Sequence, residues 1–379
     1  MGSRRPWAAI SGGGTAGHVS PGLAVAEEIV ARGARRDDVR WIGSSRGLEA
    51  RLVPEAGFDL QALPGRGIQR RLTPVNVISI LGLLVAVVRA IGGFASRRPA
   101  VLVALGGYAS VPGVIAAVVW RVPIVITEQN AVPSAANRLA SRFAKASAVP
   151  FPGSALPNAT WTGNPVRPAI VAVDRSSQRA EARQRLGIDL DRQVLLVMGG
   201  SLGARRINHA LYDALAGWRD RKDLCVYHIA GARDHDELAA RVPVEDGDAL
   251  DYRLIRYEDD MASVYAATDL VLCRAGGNSV AELAVVGLPS ILIPLPGAPA
   301  DHQTANAHAL ADIDAAVLVI DEYLDASRLV SEVDALLGDA PRLTEMSAAA
   351  ASIGRADAPA AIVDLVESHA RRPLPRADS

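Results

Sequence analysis

AAISGGGTAG at residues 8–17 and LLVMGGSLGA at residues 195–204 share one grammar, an apolar strand that runs straight into a glycine turn. Glycines placed there leave bare backbone N–H groups at the start of a helix, where a phosphate or a sugar can approach closely. Further apolar runs of strand length surround the first stretch at 7–11, 39–42, 101–105 and 124–127, and the second at 194–198, 226–229, 270–273 and 290–293. Helix-length segments such as 21–32 and 281–286 alternate with them. Strand alternating with helix predicts parallel sheets covered on both faces. The expected fold is therefore α/β, with two Rossmann-like domains facing across a cleft and ligands at the carboxyl ends of the strands.

Between the two stretches, WTGNPVRP at 161–168 carries two prolines and reads as a linker. It sets expected domains at 1–164 and 165–347, followed by a C-terminal helix and tail at 348–379 that packs back on the N-terminal domain. Within that tail, an alanine-rich helix is expected over 348–366. Two domains also suit a chain of 379 residues at roughly 150 residues per domain.

Half the residues are apolar and the net charge is −1, which excludes a disordered chain and argues against a general nucleic-acid binder. Arginine carries nearly all the positive charge, since Lys145 and Lys222 are the two lysines. Cys225 and Cys273 provide neither a disulfide framework nor a cysteine-built zinc site, which fits a reducing compartment. The basic N-terminus precedes too short an apolar run for a signal peptide, and Pro6 breaks the myristoylation pattern, so the protein is expected to stay inside the cell.

Residues 75–95, VNVISILGLLVAVVRAIGGFA, are apolar almost throughout, yet Asn76, Ser79, Arg89 and the Gly92-Gly93 pair argue against a membrane span. Val75, Ile78, Leu81, Val85 and Val88 recur at spacings of three and four and form one apolar helical face. Arg66, Arg70, Arg71, Arg97 and Arg98 flank it, and no acid occurs between Asp59 and Glu128. Two readings fit: a helix buried against its own sheet, or an apolar patch ringed by arginines on an anionic membrane face.

GGGTAG at 12–17 matches G-x-G-x-x-G, but the next strand ends in GSSR, with no carboxylate before Glu49 to hold a ribose, so a nicotinamide cofactor loses support. A P-loop fails because His18-Val19 stands where Lys-Ser/Thr belongs. What remains is a helix start suited to a diphosphate, with His18 on a loop where chemistry is done. In the second half, Ser279-x-x-Glu282 reads structurally as a capping box. Functionally, the same turn offers amides to a diphosphate and Glu282 to ribose hydroxyls. The polar stretch 294–306 suits sugar recognition, whereas Asp301 and His302 alone make a poor metal site.

Together GGGTAGH (12–18), GGYAS (106–110), EQN (128–130), GNPVR (163–167), GGSLGAR (199–205), CRAGGNSVAE (273–282) and DHQTANA (301–307) resemble glycosyltransferase family 28. Its bacterial members add N-acetylglucosamine (GlcNAc) to undecaprenyl-diphospho-muramoyl-pentapeptide, lipid I, giving lipid II for peptidoglycan. The resemblance implies the GT-B fold, an N-terminal acceptor and membrane-binding domain and a C-terminal UDP-GlcNAc-binding domain. It implies an inverting transfer to the C4 hydroxyl; no cofactor is expected, and with no D-x-D run in a plausible place the glycine loops, Arg167 and helix N-termini, and not a metal, are expected to meet the leaving-group charge. His18 is the candidate base, with substrate positioning as its other reading. For UDP-GlcNAc the resemblance implies Thr15, Ala16, Gly17, Asn130, Arg167, Ser201, Glu258, Gly277, Asn278, Ser279, Val280, Ala281, Glu282 and Gln303. Ala16, the triplet Gly277-Asn278-Ser279 and Glu258 depart from the family's usual residues. Expected partners are UDP-GlcNAc, lipid I, an anionic membrane surface through 75–98 and other cell-wall enzymes, with no nucleic acid. The expected location is the cytoplasmic face of the cell membrane, peripherally. The alternative is a UDP-GlcNAc 2-epimerase-like or other UDP-sugar-binding GT-B protein.

Overall fold

Runs of aliphatic and β-branched residues form the centres of two all-parallel sheets in the computed structural model. It describes residues 5–64, 74–199, 203–241 and 249–376, with the backbone alone for 74–78. Strands β1 (Ala8–Gly12), β2 (Val39–Ser44), β3 (Asp59–Leu63), β4 (Val101–Gly106), β5 (Ile124–Thr127), β6 (Ala146–Val149) and β7 (Ala159–Trp161) make the first sheet, in the order β3-β2-β1-β4-β5-β6-β7. Strands β8 (Gln193–Met198), β9 (Leu224–Ile229), β10 (Asp251–Ile255), β11 (Leu270–Cys273), β12 (Ser290–Leu292) and β13 (Ala316–Leu318) make the second, in the order β10-β9-β8-β11-β12-β13. Both are Rossmann-like, and their strand order reverses between β1 and β4 and between β8 and β11. Those are the points where open α/β sheets take ligands.

At the first switch point the register slips between Ser11 and Gly12, bringing Gly12 opposite Gly106. A Cβ on Gly12 would lie 2.7 Å from that of Leu105, so the strand ends only fit as glycine. The sequence patterns missed β3, β6, β7, β10 and β13. These are edge or near-edge strands of three to five residues, and β3 (DLQAL) and β7 (ATW) are largely accessible, so neither carries the continuous apolar run of a central strand.

The chain divides into one unit of Met1–Val166 with Arg355–Ser379 and another of Arg167–Gly354. The alanine-rich stretch is two helices rather than the one expected, Ala340–Ile353 and Ala358–His369. Gly354 ends the first of them in extended geometry, where a Cβ would sit 2.5 Å from the Ala284 carbonyl oxygen. The helix Ala358–His369 inserts Ile362, Val363 and Val366 into the core that holds Trp7, Ile10, Ile29 and Val101.

The helix Pro74–Ser96 resolves part of the ambiguity left by its sequence. By length and composition alone, residues 79–96 would pass as a membrane span, with a mean hydropathy of 1.9. Ala86, Ala90 and Phe94 are nevertheless buried beside Leu102 and Ile124, so the helix is packed on its sheet along one side. Leu81, Val85 and Val88 are 57%, 46% and 68% exposed, and the wholly buried reading fails for these three. The side chains of Val75 and Ile78, like Arg66, Arg70 and Arg71, lie outside the described residues. Arg97 reaches Asp59 at 3.8 Å, Arg98 stacks 4.6 Å over Trp120, and Arg89 is exposed.

Candidate active site

In the first unit, β1 enters Gly12, Gly13 and Gly14 at φ of 149°, 153° and 93°, a path that side chains resist. The helix Ala16–Ala31 follows, and its N-cap Thr15 makes no side-chain capping bond. The helix therefore starts without a side-chain cap at the amides of Ala16 and Gly17, an arrangement that suits an anion, while the His18 amide bonds the Thr15 carbonyl at 3.1 Å. Thr15 Oγ1 instead lies 3.2 Å from His18 Nδ1. The other edge of the imidazole faces Gly107, where a Cβ would come within 3.8 Å of Nε2. Thr15 is exposed, and Ala16, Gly17 and His18 are half-buried, so all four can be reached by a substrate.

Glu49, which sequence reasoning considered only as a ribose acid standing too late, is fully buried and braces this loop. One carboxylate oxygen accepts from Gly14 N at 2.7 Å and the other from Ser44 N at 2.8 Å. A second buried carboxylate, Glu128, fixes the turn that carries Asn130. Its Oε1 accepts from the backbone N–H groups of Gln129 and Asn130 at 3.0 and 3.1 Å and from Asn130 Nδ2 at 3.3 Å. Oε2 takes Ser134 N at 2.9 Å and Asn137 Nδ2 at 2.8 Å. Five donors on one carboxylate hold the turn rigidly and set the direction of Asn130.

In the second unit, Gly199 and Gly203 bracket the other glycine turn, while Ser201 lies outside the described residues. A Cβ on Gly203 (φ 76°) would fall 2.3 Å from the Ala230 carbonyl oxygen. Asn208, on the helix Arg205–Ala214, bonds that same oxygen and Asp234, each at 3.0 Å. Buried Asp234 also accepts from Arg205 and Arg233, whose donated bonds keep its carboxyl below the usual range despite burial. Behind it, His228 touches Asn208 and the Tyr252 hydroxyl at 3.0 and 2.9 Å, and burial pushes its pKa down to about 3.

After β11 the helix Gly277–Val286 starts with Gly276 as its N-cap and without a side-chain cap. The capping box expected from Ser279 and Glu282 is therefore wrong. Ser279 is already in the first turn, and Glu282 points elsewhere, because the chain enters the helix three residues earlier than the motif assumes. Glu282 accepts from the Tyr265 hydroxyl at 2.9 Å and pairs with Arg167 at 3.4 Å. Burial raises its carboxyl above the ordinary range, against the opposing pull of Arg167 and Tyr265. Burial likewise pushes the neighbouring Cys273 thiol up to about 12, leaving it inert. Gly277, Val280 and Ala281 are buried, whereas Asn278 and Ser279 are half-buried.

Gln303 opens the helix His302–Ala311 and accepts from Leu295 N at 3.0 Å. Just before it, Ala300 and Asp301 hold left-handed φ of 53° and 51°, a strain of the sort that collects at functional loops. Arg274 ties this region together by donating to the carbonyls of Ile293 and Pro294 and to Asp321. Glu258 stands at the end of β10, accepting from the Tyr227 hydroxyl at 2.6 Å and Asp260 N at 2.7 Å. Within the second unit, then, Arg167 and Glu282 meet directly, while Glu258 lies on the loop after β10 and Gln303 in the first turn of a separate helix.

Residues 8–149 match the glycosyltransferase family 28 N-terminal domain and residues 194–362 the C-terminal domain. The chain belongs to glycosyltransferase family 28. A Nocardioides sp. relative named UDP-N-acetylglucosamine--N-acetylmuramyl-(pentapeptide) pyrophosphoryl-undecaprenol N-acetylglucosamine transferase is 42% identical over 92% of this chain and 94% of its own length. One of the same name from Acidothermus cellulolyticus is 41% identical over 95% and 97%. The crystal structure of Acinetobacter baumannii MurG matches at 28% identity with a TM-score of 0.75, covering 95% of this chain and 99% of that one. In this family 28 chain, the residues that sequence reasoning missed are the supports: Glu49, Glu128, Asn208, Asp234 and Tyr265. A signal existed for Glu128, which precedes Asn130 in the EQN motif; Asp234 and Tyr265 sit in stretches with no pattern of their own.

Proposed function

We propose that this family 28 protein transfers GlcNAc from UDP-GlcNAc to the C4 hydroxyl of undecaprenyl-diphospho-muramoyl-pentapeptide, forming a β-1,4 bond and releasing UDP. Similarity to transferases of that name over more than nine-tenths of the chain carries this reading. Each unit contributes one switch point ending in a glycine turn, as a reaction between two diphosphate-bearing substrates requires.

His18 is the proposed base. With Nδ1–H donating to Thr15 Oγ1, the Nε2 lone pair takes the proton of the acceptor hydroxyl as its oxygen attacks the anomeric carbon. The bond to the UDP oxygen breaks on the opposite face, so the configuration inverts. Negative charge growing on UDP is met by the amides at Gly277, Asn278 and Ser279 and by Arg167. Glu282 accepts from the ribose hydroxyls, held in place by Tyr265. Thr15, Ala16, Gly17, Asn130 and Gln303 address the sugar and diphosphate, Ser201 the phosphates, and Glu258, with Val280 and Ala281 behind the diphosphate turn, the nucleotide end.

Because a polyprenyl diphosphate stays in its bilayer, the first unit is proposed to sit on the cytoplasmic membrane face. Exposed Leu81, Leu84, Val85 and Val88, joined by Ile115, Val118 and Val119 on the neighbouring helix Val111–Val119, support this, with Arg89 at the anionic headgroups. Release of UDP from UDP-GlcNAc only when lipid I is present is the expected result. UDP release without acceptor, or conversion to UDP-N-acetylmannosamine, would instead favour the epimerase-like reading.

A further inference from the structure

Beneath the helix Pro74–Ser96 the first unit holds a half-open recess of about 100 Å3 whose walls are almost wholly apolar. Leu63, Leu83, Ala86, Ala109 and Pro112 line it, and Tyr108 with Gly43 and Ser44 closes one side. Apolar recesses bordered by a few polar groups are where ligands bury their hydrocarbon parts. Two neighbourhoods make it more than a packing gap.

On one side it borders the glycine turn. The Tyr108 ring lies 3.8 Å from where a Cβ of Gly14 would stand, and the Ser44 amide shares the Glu49 carboxylate with Gly14 N. On the other side, Leu83 and Ala86 belong to the helix whose outward residues Leu84, Val85 and Val88 are exposed. A glycine turn at a helix start, an apolar recess for branched hydrocarbon and an exposed apolar surface thus follow one another within a single domain. A polyprenyl diphosphate has the same sequence of chemistries from its diphosphate outward.

We infer that this cavity receives the first isoprenyl unit of the acceptor lipid, the one attached to the diphosphate. The inference rests on the transferase reading above. The pocket fixes the point where the chain leaves the diphosphate, so the enzyme selects a branched, unsaturated lipid and not merely any membrane-bound diphosphate. The bilayer-facing helix supplies location; the cavity supplies lipid identity.

The test uses the full-length protein and UDP release, with farnesyl diphosphate and inorganic diphosphate as competitors of lipid I. Farnesyl diphosphate is expected to compete at a concentration at least about tenfold lower, the discrimination that a hydrophobic pocket gives for a small apolar group. Leu83→Trp, which fills the cavity, is expected to remove that advantage while the KM for UDP-GlcNAc, the melting temperature and binding to phosphatidylglycerol vesicles stay at parental values. Leu83→Met, which conserves volume, is expected to retain it. If Leu83→Trp lowers the melting temperature, calorimetric binding of farnesyl diphosphate to Ala109→Val replaces it, and affinity at least tenfold weaker than the parent's is required. Equal competition by the two diphosphates, or an advantage that survives cavity filling, overturns the inference. A parent that releases no UDP with lipid I overturns the transferase reading instead, so the two failures are distinguishable.

Discussion

The Glu49 carboxylate occupies the space that a side chain on Gly13 would need: a Cβ built on Gly13 lies 2.2 Å from Glu49 Cδ. The acid is thus a lining for the glycine turn, and neither residue can change alone. Gly13→Ala is expected to abolish lipid-I-dependent UDP release. Glu49→Ala leaves the amides of Gly14 and Ser44 without their acceptor and should cost about 1–3 kcal/mol in denaturant unfolding. Its kcat/KM for lipid I should fall as well. Parental kinetics in Glu49→Ala would show that the brace does not shape the site.

For His18→Ala, general-base loss is typically about 10²–10⁴-fold, and that drop is expected in kcat with the dissociation constant for UDP-GlcNAc unchanged. Thr15→Val, which removes the group 3.2 Å from His18 Nδ1, should lower kcat in the same direction by a smaller factor. A His18→Ala protein with parental kcat would leave His18 a positioning residue at most.

Glu282 creates opposing demands. Its carboxyl is held above the ordinary range, chiefly by burial, so folding favours the protonated form. The stability it contributes is full below the unfolded carboxylate range and is lost as pH rises through the raised folded value. Ribose binding, by contrast, is proposed to use the ionised form. Glu282→Gln should therefore melt higher than the parent at neutral pH yet bind UDP-GlcNAc more weakly, and its donor affinity should lose the decline that the parent shows on acidification. A lower melting temperature in Glu282→Gln would contradict this.

His228 works in the opposite direction. Its folded pKa of about 3 lies below the unfolded value of 6.5, so its stability contribution is complete above pH 6.5 and is lost as pH falls toward 3. Within that window the loss should approach about 1.4 kcal/mol per pH unit. Urea unfolding of the full chain between pH 7 and 5 tests it: His228→Gln should flatten the acid-side slope, and an unchanged slope would assign the decline to other groups.

At the proposed membrane face, Leu84→Asp combined with Val88→Asp should weaken binding to anionic vesicles without moving the melting temperature, since both side chains are more than half exposed. Arg89→Glu should weaken it further, by about 1 kcal/mol or more per charge lost near the surface. Vesicle binding at parental strength in all three would leave the patch without a membrane role.

The central strands, the first glycine turn and the placing of His18 at its end were legible because each rests on local chemistry: a continuous apolar run, a backbone path that excludes side chains, a helix start. Edge strands such as Asp59–Leu63 escaped because half their surface faces water and their pattern is diluted. Glu282 was found but misread, since the capping motif says nothing of Tyr265, seventeen residues away in sequence and 2.9 Å away in space. Glu49 shows the same limit. A lone acid in a loop carries no periodicity, and its partners Gly14 and Ser44 come together only once β1 and β2 are paired.

The interleaving of the two units imposes an order on synthesis. The first unit lacks Ile362, Val363 and Val366, and the bond from Trp7 Nε1 to the Arg372 carbonyl, until all of Arg167–Gly354 has left the ribosome. Domains ordinarily fold in turn as they emerge. Here the second can mature first, while the first waits, its Trp7 end uncovered, for a closing helix. A chain released after residue 354 would thus carry a finished second unit and an unsealed first one, and a chaperone that guards newborn chains would find its client at the N-terminus.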